Sequence, residues 1–189
     1  ASWRRLTVEE MELSTYFCMA ACSFTLGDIN TQQPSSNGRY LLQLTPGQDF
    51  TPSDGRPMDV PAWRINAAIA TQVIGRFDAA QPPVIDYEHQ TLNAQSNGQP
   101  APASGWITAL RWDAAGLWGE VTWTAAARAA IDADAYRYLS PVMTYSSDTG
   151  HITGLLHVAL TNNPALDCLP AVTAALTALA LTHPTESPI

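Results

Sequence analysis

Lysine is absent from this 189-residue chain, and all nine basic residues are arginine. Seventeen acidic residues outnumber them, which gives a net charge of -8 at pH 7. Proteins that bind nucleic acid draw much of their affinity from lysine and arginine side chains that neutralise phosphates. We therefore expect no direct binding of nucleic acid by a chain this acidic.

Cysteine is also scarce, and the three cysteines fit no metal-ligand repeat. Cys18, Cys22 and Cys168 are odd in number, which favours a reducing compartment over a disulfide framework. We interpret Cys168 as a small apolar residue rather than a nucleophile.

Long apolar runs are missing too, because no stretch reaches the roughly 18 to 20 residues that a membrane span needs. The nearest run covers residues 16–26, follows two arginines and contains the lipoprotein-like Met19–Cys22, so a signal sequence has to be considered. Glutamates at positions 9, 10 and 12 oppose that interpretation, and the chain does not begin with Met. We expect residues 1–38 to be poorly ordered or to lie upstream of the natural start, and we expect no membrane association.

Apolar residues make up 46% of the chain, which is enough for one folded domain, predicted over residues 39–181 with a tail at 182–189. Helical spacing predicts a helix over Pro61–Arg76, and Thr124 can cap another over Ala125–Ala133. An alanine- and leucine-rich helix is predicted over 171–181, whereas 91–104 has the composition of a polar loop. Short strands are predicted at 40–44, from 82, at 105–110, at 116–124, from 136 and at 151–160.

Three groups of residues at predicted strand ends could carry chemistry: Asp86–His89, Ser140 and His157. A serine hydroxyl becomes a useful nucleophile when a base takes its proton and a third group orients that base. On spacing alone, a structural histidine and a turn serine before proline are the simpler interpretations. If Leu155 points into the core, His157 points the same way and its ring needs a polar partner.

Asp86, Glu88 and His89 are also potential metal ligands, which keeps a metal-dependent hydrolase as an alternative. In a continuous strand, Asp86 and Glu88 would point to one face and His89 to the other. A single ion could then bind only part of this group.

Several ordered motifs are more specific than any lone triad. They are Asp54–Pro57, Ile85–Thr91, Pro100–Trp106, Gly116–Gly119, Tyr136–Val142 and Leu160–Leu166. In these motifs the sequence resembles the phage Mu I-protein family of Mu-like prophage proteases, from about residue 40 to residue 170. That family is similar to tailed-phage prohead proteases and herpesvirus assemblins. The resemblance implies an α+β fold with a mainly antiparallel, barrel-like β core and flanking helices.

The resemblance also implies a serine endopeptidase that cuts the internal scaffold, and often itself, as the procapsid matures in the host cytoplasm. His89 matches the family's histidine and Ser140 its serine, and the third position falls at His157, with Asp86 and Glu88 as alternatives. Backbone N–H groups near Arg137 or in a neighbouring loop are expected to stabilise the oxyanion. No cofactor or metal is expected.

The expected partners are scaffold and capsid proteins, together with a second copy of the chain in a homodimer or higher homo-oligomer. Residues 171–181 would form either the interface helix or a core helix, and relatives of this architecture continue into a scaffolding region. A non-catalytic scaffold or portal-associated module is the alternative that uses the same fold without chemistry.

Overall fold

The computed structural model describes residues 39–52 and 58–162 in full and the backbone of residues 17–19. The helix predicted over residues 171–181 and the tail after it lie outside these ranges. No helix within the described ranges is long and apolar enough to cross a membrane.

The described residues form one curled, mixed sheet flanked by three helices. The strands are β1 (Phe17–Met19), β2 (Tyr40–Gln43), β3 (Val84–Tyr87), β4 (Gly105–Asp113), β5 (Gly116–Trp123), β6 (Tyr138–Tyr145) and β7 (Ile152–Thr161). The helices are α1 (Ala67–Gly75), α2 (Gln90–Asn97) and α3 (Ala125–Asp132). The strand order is β1-β6-β7-β3-β4-β5-β2, and every neighbouring pair is antiparallel except β3 with β7. This arrangement confirms the α+β fold with a mainly antiparallel core.

Helix α1 begins six residues later than the spacing predicted, at Ala67 instead of Pro61. Trp63 and Arg64 form backbone bridges to Phe50 and His151, which require an extended chain. Asn66 then caps the helix, because its side-chain oxygen accepts a hydrogen bond from the Ile69 N–H at 3.0 Å.

Helix α2 occupies the first half of the segment predicted to be a loop, so that prediction is wrong over residues 91–97. None of its residues is buried, and a helix without an apolar face leaves no periodic signal in the sequence. Gly98 ends it in the left-handed conformation, at φ 67°.

The β4–β5 hairpin and α3 agree with the prediction. Asp113 stabilises the turn by accepting hydrogen bonds from the N–H groups of Ala115 at 2.8 Å and Gly116 at 3.2 Å. Thr124 caps α3 through a hydrogen bond from the Ala127 N–H at 3.2 Å.

The core lies between the sheet and α1, which packs against β7 and β4. Large, fully buried side chains fill it: Trp63, Leu44, Ile65, Ile85, Ile107, Leu117, Leu139, Met143, Leu160 and Val73. Val158 and Leu160 on β7 belong to this core, so the alternate residues of β7 face the other side of the sheet.

Candidate active site

A row of three residues crosses the centre of the sheet on the face opposite the core. Ala159 of β7 pairs with Ser140 of β6 on one side and with Asp86 of β3 on the other. Directly paired residues share a face of the sheet, and His157 lies on the same face because it is two residues from Ala159. The register alone therefore brings Ser140, His157 and Asp86 together.

His89 reaches this face through a tight turn after β3. Glu88 and His89 both adopt left-handed backbone, at φ 53° and 57°, and His89 is the N-cap of α2. The alternation expected for a continuous strand is therefore wrong here, because β3 ends at Tyr87. The turn places the His89 ring on the same face of the sheet as Asp86. It directs the Glu88 side chain towards Thr161 and Asn162 at the end of β7.

The three residues named as catalytic from the sequence are in contact. His89 Nε2 lies 2.6 Å from Ser140 Oγ, and His89 Nδ1 lies 3.3 Å from His157 Nε2. The two imidazole rings meet edge to face, with centroids 5.5 Å apart and planes at 74°. Ser140 and His157 are 1% and 2% exposed, whereas His89 is half-buried.

These contacts fix the tautomers that a base would need. If His89 Nε2 accepts the Ser140 hydroxyl proton, the His89 ring proton is on Nδ1 and is donated to His157 Nε2. His157 must then carry its own proton on Nδ1. Both contacts are thus compatible with a serine that donates and a histidine that accepts.

The two carboxylates proposed as alternatives for the third position have different environments. Asp86 is 0% exposed, and its Oδ2 lies 3.9 Å from His157 Nε2 and accepts a hydrogen bond from the Thr91 N–H at 2.7 Å. Glu88 instead accepts hydrogen bonds from Thr161 Oγ1 at 2.6 Å and from the Asn162 N–H at 3.3 Å. Asp86 therefore lies beside the contact between His89 and His157, since its Oδ2 faces the same His157 nitrogen that His89 Nδ1 approaches. Glu88 instead binds the end of β7.

Burial lowers the pKa of His157 below its ordinary value, and the Asp86 carboxylate opposes that shift. A buried imidazole with a lowered pKa is neutral at neutral pH. The neutral ring keeps a lone pair on Nε2, which is the acceptor that His89 Nδ1–H requires.

The same cluster has the donor set of a metal site. One ligand atom from each of Asp86, His89 and His157 lies within 4.8 Å of the others. Imidazole nitrogens and carboxylate oxygens suit zinc and other first-row metals. This set replaces Glu88 of the predicted group with His157.

The Arg137 N–H, expected near the oxyanion, donates to Asn162 Oδ1 at 3.2 Å. Asn162 Nδ2 also donates to the Ala135 carbonyl at 2.9 Å, so this side chain ties the entrance of β6 to the end of β7. The oxyanion donors stay a prediction.

Residues 42–173 match the family model of the N-terminal domain of the Mu-like prophage I protein. The chain belongs to the Mu-like prophage I protein family. The matched range contains Asp86, His89, Ser140 and His157, so the whole cluster lies in the family's N-terminal domain.

Two named proteins are similar to this chain in sequence. The chain is 36% identical to Protease I of Escherichia phage Mu over 141 aligned residues. The alignment covers 70% of this chain and 39% of that protein. The chain is 31% identical to the Mu-like prophage FluMu I protein of Haemophilus influenzae over 158 aligned residues. This alignment covers 78% of this chain and 44% of the relative. The chain thus spans about two fifths of the length of these relatives. No solved structure matches it.

The sequence did not predict which of Asp86 and Glu88 lies beside His157. The structure places Asp86 there, whereas Glu88 binds Thr161 and Asn162. A carboxylate between Ile85 and Tyr87 in a buried strand was the available signal for Asp86, because charged residues are rarely fully buried without partners. The turn at Glu88 and His89 had no such signal, since neither residue is a glycine.

Proposed function

We propose that this chain is the catalytic domain of a serine endopeptidase that cleaves the internal scaffold, and itself, during capsid maturation. The observation that carries the proposal is the 2.6 Å contact between His89 Nε2 and Ser140 Oγ. A base within hydrogen-bond reach of a serine, itself oriented by a third group, is the recurring arrangement of serine hydrolases. The name of the phage Mu relative, Protease I, supports a proteolytic activity.

In the proposed reaction, Ser140 Oγ attacks the scissile carbonyl carbon while His89 Nε2 takes the hydroxyl proton. The tetrahedral intermediate collapses, the C–N bond breaks, and His89 returns the proton to the leaving amine. Water then attacks the acyl-enzyme with His89 again as base, which releases the acid product and restores Ser140. His157 holds the His89 ring through the 3.3 Å contact to Nδ1.

The burial of the cluster bears on both rate and access. Hydrogen bonds and charges act more strongly away from bulk water, which favours the charge separation of the attack. Because Ser140 is 1% exposed, a peptide reaches its Oγ only after neighbouring groups move. We expect substrate binding to include such a local opening.

The partners that fit this role are the scaffold and capsid proteins inside an assembling procapsid in the host cytoplasm. We also propose a homodimer or higher homo-oligomer as the active form. Sedimentation at several protein concentrations is expected to show a dimer, and a monomer that remains fully active would contradict this part.

Ser140→Ala is expected to abolish cleavage of the scaffold in assembling proheads, and to lower peptide hydrolysis by purified protein at least about 1000-fold. Ser104→Ala is the matched control, because Ser104 is also buried but donates to the Ile85 carbonyl at 2.9 Å. The control should keep cleavage within a few-fold of the unmodified chain. Full processing by Ser140→Ala would contradict the serine mechanism and favour a non-catalytic assembly module.

A metal-dependent hydrolase is the second candidate, favoured by the three ligand atoms that lie within 4.8 Å of one another. In that case a chelator would abolish hydrolysis, added Zn²⁺ would restore it, and Ser140→Ala would retain it. The serine endopeptidase is expected to be indifferent to chelators.

A further inference from the structure

Asp86 is a buried carboxylate that the proposed serine mechanism leaves without a role. It is 0% exposed, and its Oδ1 has no hydrogen-bond partner among the described residues. Its Oδ2 accepts one hydrogen bond, from the Thr91 N–H at 2.7 Å. Burying an ionised carboxylate with one unpaired oxygen is unfavourable unless a nearby positive charge compensates it.

Capping α2 does not explain a carboxylate at this position. The Thr91 N–H at the start of α2 binds only Oδ2, and Oδ1 is left without a partner within the described part of the chain. The helix dipole favours a carboxylate there, but by less than the cost of burying an unpaired charge. Two side chains that can become positive lie close to Asp86: His157, whose Nε2 is 3.9 Å from Oδ2, and His89, which has a ring nitrogen within 4.8 Å.

We propose that Asp86 is a positioning residue that acts through His157 to stabilise the positive charge that the His89–His157 pair acquires when Ser140 attacks. This inference rests on the proposed function. The chain of contacts runs from Ser140 Oγ to His89 Nε2, from His89 Nδ1 to His157 Nε2, and from that nitrogen to Asp86 Oδ2.

The charge of Asp86 acts at the nitrogen that accepts from His89. Before the attack, a carboxylate 3.9 Å from His157 Nε2 makes that lone pair a better acceptor and keeps the His89 ring in the required tautomer. After the attack His89 is an imidazolium whose Nδ1 proton is hydrogen-bonded to His157. The Asp86 carboxylate stabilises this positive charge by Coulomb attraction. Glu88 cannot substitute for it, since its carboxylate is engaged by Thr161 and Asn162.

Asp86→Asn tests this role, because the amide oxygen can still accept from the Thr91 N–H while the charge is removed. We expect kcat to fall about 10- to 100-fold with KM within about twofold, since the charge matters most in the transition state. The acidic limb of the kcat/KM profile should move to lower pH, because the histidine pair loses a neighbour that favours its protonated form.

Asp59→Asn is the matched control. Asp59 is a carboxylate that accepts from Tyr145 Oη at 2.5 Å, at the end of β6 far from Ser140. Its substitution changes the net charge equally and should leave kcat and the acidic limb unchanged. A wild-type kcat and an unmoved acidic limb in Asp86→Asn would overturn the proposal.

A second comparison separates a role through His157 from a purely structural one. In a His157→Ala background, Asp86→Asn should lower kcat by less than about twofold further, because coupled residues are non-additive. A full additional loss there would show that Asp86 acts independently of His157, and the proposal would fall.

If Asp86→Asn does not fold, NMR of the full chain carrying Ser140→Ala answers the same question. Imidazole nitrogen shifts should place the His89 ring proton on Nδ1, the tautomer in which His157 Nε2 beside Asp86 is the acceptor. A His89 ring proton on Nε2 would overturn the proposal. Failure of the proposed function is recognised separately, because Ser140→Ala would then cleave like the unmodified chain.

Discussion

Among individual residues, His157 carries an imidazole in a place where water cannot hydrate it. The side chain is 2% exposed, and burial lowers its pKa although Asp86 opposes the shift. The expectation that His157 points the same way as Leu155 is wrong, because the register of β6 and β7 shifts between Val142 and Met143; Leu155 packs against the core and His157 lies on the opposite face. The ring nevertheless has a polar neighbour there, His89 at 3.3 Å. The same burial links the stability of the fold to pH.

The free energy of unfolding should fall as the pH drops below about 6.5, the ordinary pKa of histidine. The sign follows from proton uptake: the unfolded chain protonates His157 at about pH 6.5, whereas the folded chain resists until a lower pH. Below the folded pKa the contribution levels off. Urea unfolding between pH 7.5 and 5 measures the slope, which should be smaller in His157→Gln. An equal slope in that variant would contradict the assignment.

The position of a site residue could be predicted from the sequence only where its backbone conformation is regular. His89, Ser140 and His157 were identified through the motifs of the family resemblance, since their spacing merely permitted a triad. The separation of Asp86 from Glu88 could not be predicted, because it depends on two left-handed residues that no glycine marks.

Among the elements, the turn between β3 and α2 decides where His89 lies. Left-handed backbone at a non-glycine residue costs on the order of 1–3 kcal/mol, so the surroundings must hold Glu88 and His89 in place. The Glu88 N–H donates to the Leu160 carbonyl at 3.0 Å, and the Glu88 carboxylate binds Thr161 and Asn162. The end of β7 therefore holds the turn that positions His89.

Glu88→Ala should release this turn. We expect a loss of about 1–3 kcal/mol in the free energy of unfolding, since hydrogen bonds to a charged group are removed. We also expect kcat to fall about 10-fold or more, because His89 shifts relative to Ser140. Asp132→Ala, which removes an exposed ion pair with Arg128, is the control and should change stability by less than about 1 kcal/mol. Wild-type kcat in Glu88→Ala would contradict the account of the turn.

Helices and strands were predicted correctly where the features that specify them lie within a few residues of one another in the sequence. The β4–β5 hairpin and α3 were predicted well, because alternation and a threonine cap are local features. The start of α1 was predicted wrongly, because Trp63 and Arg64 pair with residues distant in sequence. Helix α2 was missed because it buries no side chain.

In the molecule as a whole, one core supports a site assembled from β3, β6 and β7. Trp63 is 1% exposed and packs against Phe50 and Tyr145, with ring centroids 5.5 Å and 6.2 Å apart. It joins the segment before α1 to the end of β6 that is far from Ser140. Core stability and catalytic geometry should therefore be separable at this position.

Trp63→Phe should lower the free energy of unfolding by about 1–3 kcal/mol, because a smaller ring leaves a cavity. The kcat of the folded fraction should stay within about twofold, since the rings that pack against Trp63, Phe50 and Tyr145, are not part of the site. Chemical denaturation and active-site-normalised kinetics measure the two effects. A large loss of kcat in a fully folded variant would contradict the separation.

The central claim is that His89 activates Ser140 as a nucleophile, and labelling with a fluorophosphonate probe tests it most directly. The probe reacts with activated serines, and peptide mapping by mass spectrometry locates the adduct. We predict one adduct, on Ser140, in the unmodified chain and in Ser104→Ala, and none in Ser140→Ala or His89→Ala. An unlabelled Ser140 in folded, cleaving protein, or equal labelling in His89→Ala, would contradict the claim.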